Sequence, residues 1–244
     1  MAYRKPTSWG SVKPPAGSQV DWGHPISRSL IGCWLFNECG GLRVKDISGN
    51  KADGTLTSFT VNPWEPGKFG TSIKLDGSDD YIAFSSKALT SLTISAWIKP
   101  SSAAGGYRGI LGIQSSIQLS WMGDGTVKFW PQPASSGKTI PTGVWTHVLY
   151  CQNSVTGASS YYINGVPAGT GGYSAMPLTT GQIGRGDGTF DGGLDNIRLY
   201  ERALNAGEAR LLFEQPFVGI VAPVLRFAKP AIPPPTRAWG YVFG

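Results

Sequence analysis

Two stretches constrain this chain most: residues 31–56, IGCWLFNECGGLRVKDISGNKADGTL, and residues 190–213, FDGGLDNIRLYERALNAGEARLLF. Each carries an apolar strand, and short apolar segments separated by turn residues fill the space between them, so together they bracket one β-rich domain. The first predicts a strand over Ile31–Phe36, then a loop in which Glu38, Asp46, Ser48, Asn50 and Asp53 crowd oxygen atoms among glycines. The second predicts a half-buried strand over Leu194–Tyr200 and a short helix after it. Asn205 followed three residues later by Glu208 has the spacing of a capping box. Pro216, which has no N–H to donate, should stop that helix.

At 244 residues the chain could hold one large sandwich or two small domains, and a single set of strand segments through the middle favours one. Thirty-four glycines, eighteen prolines and a charged fraction of 15% suit many short strands joined by turns. No apolar run approaches the roughly 18 residues of a membrane span. The opening MAYRKPTSWG lacks the apolar stretch of a secretory signal, and none of the seven asparagines opens an N-x-Ser/Thr sequon. Three cysteines cannot all pair within one chain; Cys33 and Cys151 read as reduced core residues, and Cys39 as a loop residue. The expected site of synthesis is a reducing cytoplasm.

The net charge of +6 belongs to the ends: residues 1–30 and 215–244 carry +3 each, while residues 31–214 hold fourteen basic and fourteen acidic side chains. A nucleic-acid groove on the central domain is therefore disfavoured, because phosphate binding needs basic side chains clustered on one face. The expected organisation is an N-terminal arm (1–28), a sandwich (29–214) and a Pro-rich C-terminal arm (215–244). Both arms carry more apolar surface than a solvating tail. Their candidate anchors are Arg4, Trp9, Trp22, Phe217, Arg226, Phe227, Arg237, Trp239 and Tyr241. Two coverings remain open: wrapping of the chain's own sandwich, or the preferred one, docking along neighbouring subunits with the basic residues on an acidic surface.

Four further segments, LDGSDDYIAF (75–84), LTISAWIKP (92–100), GVWTHVLYC (143–151) and YYINGVPAG (161–169), join the two bracketing stretches in an order that resembles the laminin-G-like, concanavalin A-like domains. The resemblance covers residues 28–214. It implies an all-β, two-sheet antiparallel jelly-roll sandwich with one short C-terminal helix and extended arms. It also implies a broad range of roles, as lectins, adhesion modules, enzyme appendages or virion parts. The start DWGHPISRSLIGCWLFNECGG and the end LLFEQPF, followed by a Pro-rich tail, resemble family members found in tailed bacteriophages. That implies a head decoration protein on the virion surface, made in the host cytoplasm, homo-oligomeric, and held by the major capsid protein or other virion subunits. The alternative it implies is a carbohydrate-binding tail adhesin directed at a host-surface glycan.

The acidic loop is not an EF-hand, since Lys51 stands where the glycine is needed. The resemblance implies instead a structural Ca2+ held by Glu38, Asp46, Asn50 and Asp195. The competing reading is an Asx-turn in which Asp46 and Asn50 bond only their own backbone. Tyr107 and Trp130 are candidates for a saccharide-stacking platform. Trp64 and Trp121 belong to the same aromatic set, but Trp121 alternates with Ile117 and Leu119 and reads as core. Glycosidase chemistry needs facing carboxylates, and no Glu-x-Asp-x-x-Glu strand occurs; Asp79 and Asp80, if on a strand, would face opposite ways. A glycoside hydrolase is the least favoured alternative. His147 reads as a core residue beside Trp145 and Leu149. Gly137-Lys138-Thr139 lacks the upstream glycine of a phosphate loop, and Arg185-Gly186-Asp187 sits in a glycine-rich turn that explains it.

Overall fold

A computed structural model describes residues 9–102, 105–113, 117–132, 134–172 and 178–223. Of the expected arm anchors, Arg4, Arg226, Phe227, Arg237, Trp239 and Tyr241 lie outside the described residues. Along the chain the strands are β1 (Gln19–Val20), β2 (Leu30–Trp34), β3 (Arg43–Val44), β4 (Gly54–Thr57), β5 (Trp64–Pro66), β6 (Thr71–Asp76), β7 (Tyr81–Leu89) and β8 (Leu92–Pro100). They continue as β9 (Tyr107–Gly112), β10 (Gln118–Met122), β11 (Val127–Trp130), β12 (Thr146–Asn153), β13 (Ala158–Ile163), β14 (Val166–Gly172), β15 (Leu178–Ile183), β16 (Asp191–Tyr200) and, after helix α1 (Ala206–Glu214), β17 (Ile220–Val221).

A seven-stranded sheet runs β11–β10–β9–β15–β7–β4–β3, and an eight-stranded one runs β14–β13–β12–β8–β16–β6–β5 with β2 also on β16. The strand pairs are antiparallel, which lets each strand turn one face inward and the other outward. Between the sheets lies one large core, in which Trp34, Ile73, Leu75, Ile94, Leu119, Trp121, Tyr150 and Leu194 are sealed from solvent. Phe129 stacks on Tyr150 across it, with centroids 4.2 Å apart. Each such side chain contributes on the order of 1.5–3 kcal/mol by leaving water, and this offsets the entropy of ordering so many turns. The fold class is the one the sequence implied.

A second core covers the outer face of the eight-stranded sheet. Cys33, Leu35, Trp97, Leu149, Cys151, Tyr162 and Tyr200 point outward there, and α1 (Ala209, Leu212), Val20, Ile26, Phe217 and Ile220 close over them. α1 starts where expected: Asn205 accepts from the Glu208 N–H at 3.0 Å and the Glu208 carboxylate takes the Asn205 N–H at 3.0 Å. The structure also corrects two strand expectations. β2 ends at Trp34, because Phe36 adopts a left-handed φ of 55°. β16 is buried on both faces, so half-burial fails over Leu194–Tyr200, and the ladder slips between Asp195 and Arg198.

The arm boundaries shift for the same reason. β1 pairs with β17, Trp9 Nε1 donates to the Ile220 carbonyl at 3.0 Å, and the buried Arg198 guanidinium donates to the Pro216 and Val218 carbonyls. Residues 9–28 and 215–223 are therefore parts of the domain, and Phe217 is a core residue rather than an anchor for a neighbour. Trp22, 57% exposed, is the one expected aromatic anchor that the described segments leave open.

Candidate functional site

The four residues expected to hold calcium do not converge. Asp46 is buried, and all its acceptor capacity is used within the chain. Its Oδ1 takes the Cys33 and Ser48 N–H groups at 2.9 and 2.8 Å, and its Oδ2 takes the Ser48 hydroxyl and the Ala52 N–H at 2.7 and 3.1 Å. Asn50 turns its amide onto the Leu30 carbonyl at 3.2 Å and onto Ser48 Oγ at 3.1 Å. Asp46 and Asn50 thus form the Asx-type clasp, because four matched donors satisfy a buried carboxylate without a metal.

Asp195 lies elsewhere, on the ammonium of Lys13, and the Glu38 carboxylate acts on that ammonium at longer range. Lys13 Nζ donates to Asp195 Oδ1, to the Thr71 carbonyl and, at 3.5 Å, to the Phe36 carbonyl. Asp195 Oδ2 takes the Phe69 N–H at 3.2 Å, and Glu38 Oε1 takes the Lys45 N–H at 2.7 Å. Burial pushes the Lys13 ammonium down and the Asp195 carboxyl up, and their mutual attraction opposes both shifts. The donor set does not fit the expected metal, since the Lys13 ammonium already occupies the position against Asp195. No sequence-local signal marks Lys13, whose partner is 182 residues away.

The two saccharide candidates do converge. Tyr107 opens β9 and Trp130 closes β11, and their rings meet edge-on with centroids 5.9 Å apart. Alternation places Trp130 on the outer face of the seven-stranded sheet, since its neighbour Phe129 points into the core, and the indole is 42% exposed. Trp121 and Trp64 are buried.

Beside this pair the outer face is polar. Gln118 stands opposite both Trp130 and Gly112, and Gln182 opposite Gly112 on its other side. The Gln118 carbonyl oxygen takes the Asp187 N–H at 2.7 Å and the Ser120 hydroxyl at 3.1 Å. Its Nε2, and Oε1 of Gln182, are buried without partners. The turn through Arg185-Gly186-Asp187 folds onto this face, and Gly109 is what admits it, because a Cβ there would lie 2.2 Å from the Arg185 carbonyl carbon. Arg185 covers the Tyr81 ring at 4.9 Å. Gln118 was legible in principle: core residues at 117, 119 and 121 leave 118 and 120 on the other face.

Asp79 and Asp80 lie in the turn between β6 and β7 rather than on a strand, and with Asp76 their carboxylates approach within 4.8 Å of one another. Burial, with repulsion from Asp76 and Asp79, pushes the Asp80 carboxyl up against the pull of the Asp76 N–H. Two of these carboxylates serve the turn itself: Asp76 takes the Ser78 N–H at 2.8 Å, and Asp80 takes the Asp76 N–H at 3.2 Å. His147 is sealed in the second core with Ser95 Oγ at 2.9 Å from its Nε2, and burial holds it down at about 3. A histidine kept neutral and away from solvent cannot exchange protons with a substrate.

The family described as the concanavalin A-like lectin/glucanases superfamily matches residues 76–210. No curated protein matches the chain. Domain 4 of AbnA, an extracellular GH43 arabinanase from Geobacillus stearothermophilus solved with arabinotriose, is similar in structure. It has 24% identity and a TM-score of 0.61 over 75% of this chain and 98% of that one. The binding domain of Paraclostridial Mosquitocidal Protein 1 matches at 19% identity and TM-score 0.59 over 79% of this chain and 53% of that one. A Trypanosoma rangeli sialidase in complex with sialic acid matches at 16% and 0.56, over 76% of this chain and 33% of that one. Identities this low show the shared fold, and the fold carries both enzymes and binding domains.

Proposed function

The chain belongs to the concanavalin A-like lectin/glucanases superfamily, and from that premise we propose a non-enzymatic display domain that takes carbohydrate on the outer face of its seven-stranded sheet. The observation that carries this reading is the Tyr107–Trp130 ring pair, in which Trp130 is 42% exposed and Tyr107 is half-buried. Apolar C–H faces of a sugar stack on such rings. Among the acidic residues of the β6–β7 turn, Asp76 and Asp80 each accept a backbone N–H within the turn, a structural role that supports binding over hydrolysis. The test is a glycan array probed with the full chain, repeated with Trp130→Ala; a bound glycan unaffected by the substitution sinks the assignment of this face.

A second reading concerns where the domain is displayed: on a bacteriophage head, as a decoration protein held by the major capsid protein or neighbouring subunits in a homo-oligomeric arrangement. Both described ends of the chain support it. Trp9 and Pro223 lie near one another on the covered eight-stranded sheet, with Trp9 bonded to Ile220 and Gly17 against Pro223, on the sheet opposite the ring pair. Anchoring through residues 1–8 and 224–244 would leave the aromatic face outward, and those segments carry basic and aromatic side chains suited to an acidic protein surface. Deleting both segments should abolish particle incorporation while the domain still folds; incorporation of the truncated chain at full occupancy rejects this reading.

A further inference from the structure

We propose that the Lys13 ammonium is the resident cation of this sandwich: it fills a pocket whose oxygens would otherwise hold a divalent metal, and in doing so buttons the N-terminal segment to the domain.

The pocket draws oxygens from three separate elements. Phe36 supplies its carbonyl just after β2, Thr71 its carbonyl at the start of β6, and Asp195 a fully buried carboxylate from β16. Glu38 adds a second carboxylate nearby, and its Oε2 is buried with no partner. A carboxylate and two backbone carbonyls meet at the ammonium, hard oxygens of the kind calcium favours, with the Glu38 charge at longer range. The stem of Lys13 reaches the pocket beside Gly70, where a Cβ would stand 3.7 Å from the Lys13 Cβ, and the Lys13 side chain is only 7% exposed. A tethered ammonium also outcompetes a free ion, because its local concentration is set by the chain and not by the medium.

The consequence is calcium independence that rests on one side chain. Thermal unfolding of the full chain, followed by circular dichroism in calcium chloride or in EDTA, gives the test. The wild type should melt at the same temperature in both, and Lys13→Ala should melt measurably higher in calcium than in EDTA and bind one equivalent of calcium by titration calorimetry. Lys13→Ala with Asp195→Asn should lose that binding. Lys13→Met with Asp195→Asn, which removes both charges while keeping the stem, should fold without calcium and bind none. A wild type destabilised by EDTA overturns the proposal, as does a folded Lys13→Ala that binds no calcium, or an unfolded one that calcium fails to rescue.

Discussion

The ring of Tyr107 meets the ring of Trp130 edge-on at a centroid distance of 5.9 Å, joining the start of β9 to the end of β11 across the intervening strand β10. Replacing Trp130 by alanine removes half of that pair without opening the core, because the indole is 42% exposed. Glycan affinity should fall at least about tenfold, or about 1.4 kcal/mol, with the melting temperature unchanged. Isothermal titration with a glycan identified on the array checks both outcomes.

Asp46 ties four donors together from the centre of its loop. Asp46→Ala leaves the Cys33 and Ala52 N–H groups buried and unpaired, at a cost of roughly 2–5 kcal/mol. Urea denaturation should show that loss, and calcium should not reduce it. A loss that calcium restores would return Asp46 to the role of a metal ligand.

The two N-terminal truncations should separate sharply. Removing residues 1–8 leaves every described contact in place, whereas removing residues 1–20 also takes away Trp9, Lys13 and the β1 pairing and strands the buried Asp195 carboxylate. A buried charge that loses its partner costs about 3–5 kcal/mol. Equal melting temperatures for the two truncations would show that the segment is not part of the domain's stability.

His147 sets a pH dependence of known sign. Its pKa is lowered by burial from 6.5 to about 3, so the unfolded chain binds a proton that the folded chain refuses. Its contribution is complete above pH 6.5 and is lost as the pH falls toward about 3, at up to about 1.4 kcal/mol per unit. Stability of His147→Gln, measured by denaturant titration at several pH values in that window, should fall less steeply than that of the wild type. Parallel slopes would place the wild-type acid sensitivity elsewhere.

Features that depend on neighbours in the chain were readable from it. The capping box at Asn205 and Glu208, the inward Trp121, the outward Trp130 and the buried Cys33 and Cys151 all follow from spacing over a few residues. The Asx reading of Asp46 and Asn50 was available in part for the same reason, since Ser48 lies within the loop, whereas their bonds to Cys33 and Leu30 come from the fold. The resemblance-based calcium set failed where it had to join residues 46 and 50 to residue 195, because strand register, not spacing, decides which oxygens meet.

By itself the sequence determined the strand alternation, the turns and therefore the sandwich, because those rest on periodicity and on local backbone chemistry. Only the tertiary structure decided what lies against the outer face of each sheet. One face is closed by α1 and by both chain ends, which makes residues 9–28 and 215–223 domain instead of arm, and makes Lys13 the counter-ion of Asp195. The other carries the Tyr107–Trp130 pair and, beside it, Gln118 covered by the turn through Asp187. Alternation states only that a side chain faces outward; which distant segment covers it, or leaves it to solvent, depends on packing between elements far apart in the chain.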